Sequence, residues 1–307
     1  MRKYPLPTLF LFAGVLFLAG YFSGCALLVR FPSSPGKGDR SEIRPVPFVS
    51  ERPSVFRGVF HLHTKSSHDS KISLEQVVKE AQKAQLDFAV ITDHNTLAGK
   101  EAYREGDFSP STQPLRGLAQ DGSPRFLSNG EQAKRVEPPL LIFGIEISTA
   151  DGHLTALGLD EMPVAGKNSE ELIQWIRDRG GYSIFAHPES SKNPWDRPEL
   201  KGVSGLEVYN FAHSFYDANK LRLAGQIFLP PKPFLKSFQK HAPFSLKLWD
   251  RKLAEGRCAA FGAADAHIHW KFLGLSPESY FLQLRAVTIY VLTDELKTKK
   301  IIEALGS

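Results

Sequence analysis

The chain has 307 residues, 42% hydrophobic and 23% charged, which is enough apolar material for an ordinary core and excludes disordered, collagen-like and coiled-coil readings. Its two cysteines, Cys25 and Cys258, exclude a disulfide framework and a cysteine-based zinc site. The formal charge of +5, spread over 38 basic and 33 acidic residues with no long Lys/Arg run, indicates no specific nucleic-acid partner; the ten histidines are more informative.

Arg2 and Lys3 precede a run from Tyr4 to Val29 that holds no charged residue. Such a run can cross a bilayer as a helix, and its basic start favours a cytoplasmic N-terminus with the remainder exported. Residues 1–30 are therefore expected to be a targeting segment rather than part of the fold. Two routes give a membrane-associated product. One is an uncleaved signal-anchor helix. The other is lipoprotein processing at Cys25, since Phe22-Ser23-Gly24-Cys25 resembles the bacterial lipobox with Phe22 where Leu is usual. Residues 31–54 carry Pro32, Pro35, Gly36, Gly38, Pro45, Pro47 and Pro53 without helix or strand period, and read as a tether. Residues 55–307 are expected as a domain on the extracytoplasmic side of the membrane.

From Val55 onward, short apolar strands alternate with amphipathic helices. A strand over residues 58–62 runs into His61-Leu62-His63-Thr64. A helix over residues 73–84 follows, with Ser73 and Gln76 at capping-box spacing. Residues 88–92 form a strand leading to Asp93-His94-Asn95, residues 140–147 a strand carrying Glu146, and residues 153–159 another. Asn168 and Glu171 cap a helix that runs to Arg179 and stops at Gly180-Gly181. Strands over residues 182–186, 205–209 and 259–263 follow, the first leading to His187-Pro188 and the last to Ala264-Asp265-Ala266-His267. Residues 286–292 and 294–305 read as a closing strand and helix. The alternation argues an α/β fold on a parallel sheet. Polar residues just past successive strand ends favour closure into a barrel. Residues 105–139 and 215–244 break the alternation and read as insertions, the second a candidate lid.

His61 and His63 stand two apart on a strand, so both side chains are expected to point the same way; Asp265 and His267 repeat the spacing. Asp69, His94, Glu146, His153 and His187 also lie beside strand ends, so nine imidazoles and carboxylates follow one edge of the sheet. With no thiolate among them, they suit Zn, Mn or Fe. A catalytic zinc uses about three protein ligands, so this set fits two or three divalent metal ions with a carboxylate bridging a pair. Such ions lower the pKa of bound water and clamp both oxygens of an in-line phosphoryl displacement. The reaction class expected is metal-assisted hydrolysis, most naturally of a phosphate ester.

The order of these motifs, from His61-Leu62-His63-Thr64 through Ser67-His68-Asp69-Ser70, Asp93-His94-Asn95, Gly144-Ile145-Glu146, Phe185-Ala186-His187-Pro188 and residues 205–210 to Asp265-Ala266-His267, resembles the PHP family. These are the polymerase and histidinol phosphatase metallohydrolases. The resemblance spans residues 56–292 and implies a distorted (β/α)7 barrel. It implies one metal held by His61, His63, Glu146 and Asp265. A second would be held by Glu146, His153 and His187, and a third by Asp69, His94 and His267. It also implies a metal-bound hydroxide as nucleophile. Beside this set, Asp93 is expected to orient an imidazole, and His68, Glu207 and Asn210 are candidate substrate contacts. His213, His241 and His269 are expected at the surface, and Cys258 as a small buried hydrophobe. The substrate is expected to be a small-molecule phosphate monoester or diester, its phosphate bound by Arg or Lys from residues 105–139 or 190–245. Hydrolysis of a carboxylic or carbamate ester on the same site is the enzymatic alternative. A non-catalytic, metal-stabilised binding module is the alternative of another class.

Overall fold

The computed structural model describes residues 54–104, 138–164, 166–218, 235, 242–269 and 279–306. The expected targeting segment, the tether up to residue 53, most of both insertions, Cys25 and His241 lie outside the described residues. Among the described residues no helix is long and apolar enough to cross a membrane.

Local sequence signals account for the first elements. Strand β1 (Ser54–Leu62) leads to helix α1 (Leu74–Lys83), where Ser73 and Gln76 form the expected capping box. Leu74, Val77, Val78 and Ala81 recur at helical spacing and are the buried face of α1. Strand β2 (Phe88–Ile91) and helix α2 (Ala98–Arg104) follow. The strand expected over residues 140–147 divides at Gly144 into β3 (Leu140–Phe143) and β4 (Ile145–Ser148), which belong to different sheets. Strand β5 (His153–Leu157) precedes α3 (Ser169–Asp178), which opens on the Asn168–Glu171 capping box and ends before Gly180 at φ 71°.

The chain continues through β6 (Tyr182–Phe185), β7 (Gly205–Asn210), α4 (Phe211–Tyr216), α5 (Pro243–Glu255) and β8 (Ala259–Ala263). It closes with α6 (Tyr280–Ala286), β9 (Ile289–Thr293) and α7 (Thr298–Leu305). Ala286 thus ends a helix rather than opening a strand, and the last helix starts four residues later than its expected start at Asp294.

The strands form two sheets, β3-β2-β1-β9 and β4-β5-β6-β7-β8. The expectation of an all-parallel sheet is corrected: β1/β9, β4/β5 and β5/β6 are antiparallel, the remaining pairs parallel. A tight turn in which Thr149 N donates to Gly152 O (3.0 Å) joins β4 to β5, leaving no room for the crossover that a parallel pair needs.

Hydrogen bonds join the two sheets along two seams. Beyond β2, Gly144 N donates to Ile91 O (2.7 Å), Glu146 N to Asp93 O (3.2 Å) and Asn95 N to Glu146 O (2.9 Å). Beside β1, Ala264 N donates to Phe60 O (2.9 Å), Ala266 N to His61 O (3.2 Å) and His63 N to Ala266 O (3.1 Å).

One apolar cluster draws on both sheets, including Phe60, Phe88, Val90, Ile142, Leu157, Ile184 and Phe261, and Ile301, Ile302 and Leu305 of α7 join it. A second packs α1 and α6 on β1 and β2; a third packs α3 and α5 on the β4–β7 side. Cys258 is buried in this third cluster as expected, and burial pushes its thiol up to about 11.

A Cβ added to Gly144 would lie 2.5 Å from Leu157 Cδ2 and 2.6 Å from the Ala156 carbonyl oxygen. The backbone oxygen cannot yield without breaking the sheet at the β3–β4 transfer. Gly144→Ala is expected to destabilise the protein by about 1–3 kcal/mol, the usual cost of overpacking, read from denaturant unfolding.

Candidate metal centre

All nine residues expected as ligands are brought together at the ends of the strands. Three of them occupy the left-handed region of backbone space, which non-glycine residues rarely adopt: His61 (φ 68°), His187 (φ 31°) and Asp265 (φ 50°). At His61 this conformation accompanies a register shift between Val59 and Leu62, and β1 ends before His63. The two imidazoles do share the site, with ring centroids 5.0 Å apart. Simple strand alternation, the reason expected for it, does not apply across this kink. Pairing of the His61–His63 backbone with Ala266 holds both segments instead.

Glu146 is the hub. Its side chain is 1% exposed, and its two oxygens face five imidazoles. Oε1 lies 2.8 Å from His153 Nδ1 and 2.9 Å from His187 Nε2. Oε2 lies 2.9 Å from His61 Nε2, 3.1 Å from His63 Nε2 and 3.5 Å from His94 Nδ1. Asp265 Oδ1 stands 3.5 Å from His61 Nε2 and 3.3 Å from His63 Nε2. Asp69 Oδ2 stands 3.2 Å from His94 Nε2 and 3.1 Å from His267 Nε2. Donor atoms therefore converge in interlocking groups: His61, His63, Glu146 and Asp265; His63, Asp69, His94 and His267; and His94, Glu146 and His153.

Hydrogen bonds away from the centre set which ring nitrogen faces inward. His61 Nδ1 contacts Glu207 Oε1 at 2.6 Å, and His267 Nδ1 contacts the Asp265 carbonyl oxygen at 2.8 Å. Ser67 Oγ donates to Asp69 Oδ1 (2.8 Å), so His63 Nδ1, 3.3 Å away, must donate to Ser67. With a cation taking the place of the inner proton, each ring would keep its hydrogen on Nδ1 and turn its Nε2 lone pair inward, the arrangement outer partners impose on metal-binding histidines. His63 Nε2, His94 Nδ1 and His187 Nδ1 are buried without a hydrogen-bond partner among the described residues. Buried carboxylates facing orphaned imidazole nitrogens are a donor set that fits divalent cations.

Protons are drawn into this cation-seeking environment. Burial alone would lower the His61 pKa, but Glu146, Glu207 and Asp265 together raise it well above the usual value. Burial opposes ionisation of Glu146 as well, yet the facing imidazoles hold its carboxyl well below the usual carboxylate range. The same balance, desolvation outweighed by Asp69 and Asp265, lifts His267 to about 9. Asp69 is correspondingly lowered, its burial outweighed by the bonds from His267 and His94.

Several residues depart from their expected roles. Glu207 and Asn210, expected as candidate substrate contacts, are buried and occupied by protein groups. Glu207 contacts His61 and accepts from His187 N (2.8 Å) and Asn210 Nδ2 (2.9 Å). Asn210 Nδ2 also donates to Asp265 Oδ2 (3.2 Å), and its Oδ1 accepts from His213 N (3.1 Å). Among the described residues Asp93 bonds no imidazole; it fastens the turn after β1 by accepting from Thr64 N (2.6 Å) and Thr64 Oγ1 (2.7 Å).

His213, expected at the surface, packs on His187 with ring centroids 4.2 Å apart and forms a further donor group with His187 and Asp265. Burial lowers its pKa to about 4. His269, also expected at the surface, is half-buried, stacked on His267 at 5.2 Å. Ser67, named only as part of a motif, and Ser190 bond site histidines, a role the sequence did not assign because serines in loops carry no distinguishing spacing.

The centre opens into a cleft of about 680 Å³, lined by His68, Lys71, Lys192, Asn193, Tyr216 and His269 beside the donor residues. That volume suits a small molecule. His68 is exposed there, its ring 5.1 Å from that of His94, and remains placed to meet a substrate.

In the metal-free protein His267 is expected to lose its proton at about pH 9, against about 6.5 when unfolded. Its pairing with Asp69 therefore contributes stability that is full below about pH 6.5 and lost as pH rises through 9. A divalent cation must displace that proton. Affinity for Mn²⁺ is expected to climb between pH 6.5 and 9 with proton release, measured by titration calorimetry in buffers of differing ionisation enthalpy. An affinity independent of pH would contradict this assignment.

Residues 60–197 match the model of the PHP domain. An uncharacterized protein of Methanocaldococcus jannaschii, MJ1587, is 29% identical over 190 residues, covering 57% of this chain and 94% of its own length. Among solved structures, PsfC from Pseudomonas syringae shows 16% identity and a TM-score of 0.41 over 81% of this chain and 96% of its own. A candidate metal-dependent phosphoesterase from Bifidobacterium adolescentis shows 15% identity and a TM-score of 0.40 over 75% of this chain and 92% of its own. The stretch matched by the PHP domain model includes His61, His63, Asp69, His94, Glu146, His153 and His187, while Asp265 and His267 lie beyond it.

Proposed function

We propose that this chain is a PHP-type metallohydrolase that cleaves phosphate esters with two or three divalent ions. The observation that carries the reading is the buried group around Glu146, in which imidazole nitrogens and carboxylate oxygens converge at ligand spacing while His63 Nε2, His94 Nδ1 and His187 Nδ1 have no hydrogen-bond partner among the described residues. His61, His63, Glu146 and Asp265 would hold one ion, Glu146, His153 and His187 a second, and Asp69, His94 and His267 a third. Bound ions would lower the pKa of water and neutralise charge on phosphoryl oxygens. Glu207 and Ser67 keep the His61 and His63 lone pairs turned inward.

An anionic substrate would be favoured once bound cations neutralise the carboxylates of the cleft. Its lining carboxylates are Asp69, Glu146 and Asp265, all within the donor groups, whereas Lys71 and Lys192 supply ammonium groups nearer solvent. Those two lysines are the groups suited to hold a phosphate. The seam bonds at Gly144 and Ala264 support a further part of this reading, closure of the strands into a distorted (β/α)7 barrel. The uncharged run over residues 4–29 supports export and membrane attachment, through Cys25 or an uncleaved helix.

Chelator-stripped protein is expected to lose hydrolysis of p-nitrophenyl phosphate or bis-p-nitrophenyl phosphate and to regain it with Mn²⁺ or Zn²⁺. His61→Ala and Asp265→Ala are each expected to reduce that activity at least 100-fold and to lower metal content. Turnover of p-nitrophenyl acetate alone would replace the phosphate-ester reading with the carboxylic-ester one. Full metal occupancy without hydrolysis of any of the three would favour a binding module.

A further inference from the structure

The group formed by His187, His213 and Asp265 has ligand spacing, with donor atoms within 4.8 Å of one another, and invites reading as another metal site. The hydrogen bonds behind His213 argue otherwise. Ser190 Oγ accepts from the backbone N–H of Lys192 (3.1 Å) and of Asn193 (3.0 Å), which occupies both of its lone pairs. Its own proton is left to donate, and His213 Nδ1 lies 2.8 Å away. His213 Nδ1 is therefore an acceptor, and the ring proton sits on Nε2. That nitrogen faces Asp265 Oδ2 at 3.4 Å and, carrying hydrogen, has no lone pair to offer a cation.

Asp265 is thereby held from two sides. Asn210 Nδ2 (3.2 Å) and the His213 Nε2–H address Oδ2, while Oδ1 is turned to His61, His63 and His267. We propose that His213, with its tautomer set by Ser190, is a positioning residue that directs Asp265 as a one-oxygen donor toward the metal centre and is not itself a ligand. The proposal rests on the metallohydrolase reading above.

The test uses the full chain, stripped of metal and titrated with Mn²⁺ alone, in the wild type and in His213→Ala, His213→Gln and Ser190→Ala. In His213→Ala the number of ions bound is expected to stay as in the wild type, while affinity falls by about 10–100-fold, the usual effect of losing an outer partner. His213→Gln, whose amide N–H can replace Nε2–H, is expected to recover most of the affinity and to guard against misfolding of the alanine variant. Ser190→Ala is expected to weaken binding in the same direction by a smaller factor. Imidazole ¹⁵N shifts should report Nε2–H on His213 in the wild type. Loss of one bound ion in His213→Ala, or affinities equal to wild type in all three variants, would overturn the proposal alone. A wild type that binds no divalent ion would overturn the metallohydrolase reading and this proposal with it.

Discussion

A carboxylate removed from water among five imidazoles is the constraint around which this molecule is arranged. Burying the Glu146 charge unpaired would cost several kcal/mol, and more in the absence of hydrogen bonds. Each facing imidazole supplies either a proton or a lone pair, and the two roles carry opposite consequences. With protons, the histidines act as counter-charges and their pKa values rise, as at His61 and His187. With lone pairs, they leave the carboxylates uncompensated, and the donor set then favours a cation. Apolar packing beneath the centre maintains this choice by excluding water, since Phe60, Leu62 and Ile145 are buried on the strands that carry the donors.

The backbone accepts strain to assemble the group. Positive φ at His61, His187 and Asp265 turns side chains that strand alternation would not deliver to one point. Such conformations persist when surrounding contacts over-determine them. Here the contacts are identifiable. His61 is held by Glu207 and by backbone pairing with Ala266, His187 by its N–H bond to Glu207, and Asp265 by Asn210. Glu207 serves two of the three, which explains a fully buried carboxylate that faces no solvent. Glu207 and Asn210 of β7 thus brace the site.

The converging donors were legible because they lie in or beside strands whose apolar runs are visible, and because imidazole and carboxylate near strand ends form a chemically uniform group. Capping at Ser73 and Asn168 was legible for a local reason: a cap is written within four residues. Sheet direction was not, because residues 140–147 read as one apolar run, and only the pairing of β3 with the distant β2 divides it at Gly144 and leaves β4 to turn back on β5. The roles of Glu207, Asn210 and Asp93 were missed for the same cause. A buried polar side chain is assigned by its neighbours, and those neighbours are 20 or more residues distant in chain order for the bonds that matter.

His213 marks the boundary between the two kinds of information. The sequence by itself determined which side chains could bind metal, in what order, and that strand ends would carry them, since these follow from residue chemistry and local periodicity. Only the tertiary structure decided that His213 joins His187 and Asp265, because α4 returns it to the site through contacts without a sequence period. It likewise decided which nitrogen of each ring faces inward. That choice depends on a single hydrogen bond with Glu207, Ser67, Ser190 or a carbonyl oxygen; those with Glu207 and Ser190 exist only once distant segments have met, and the local ones at His63 and His267 follow from loop geometry that no residue spacing marks.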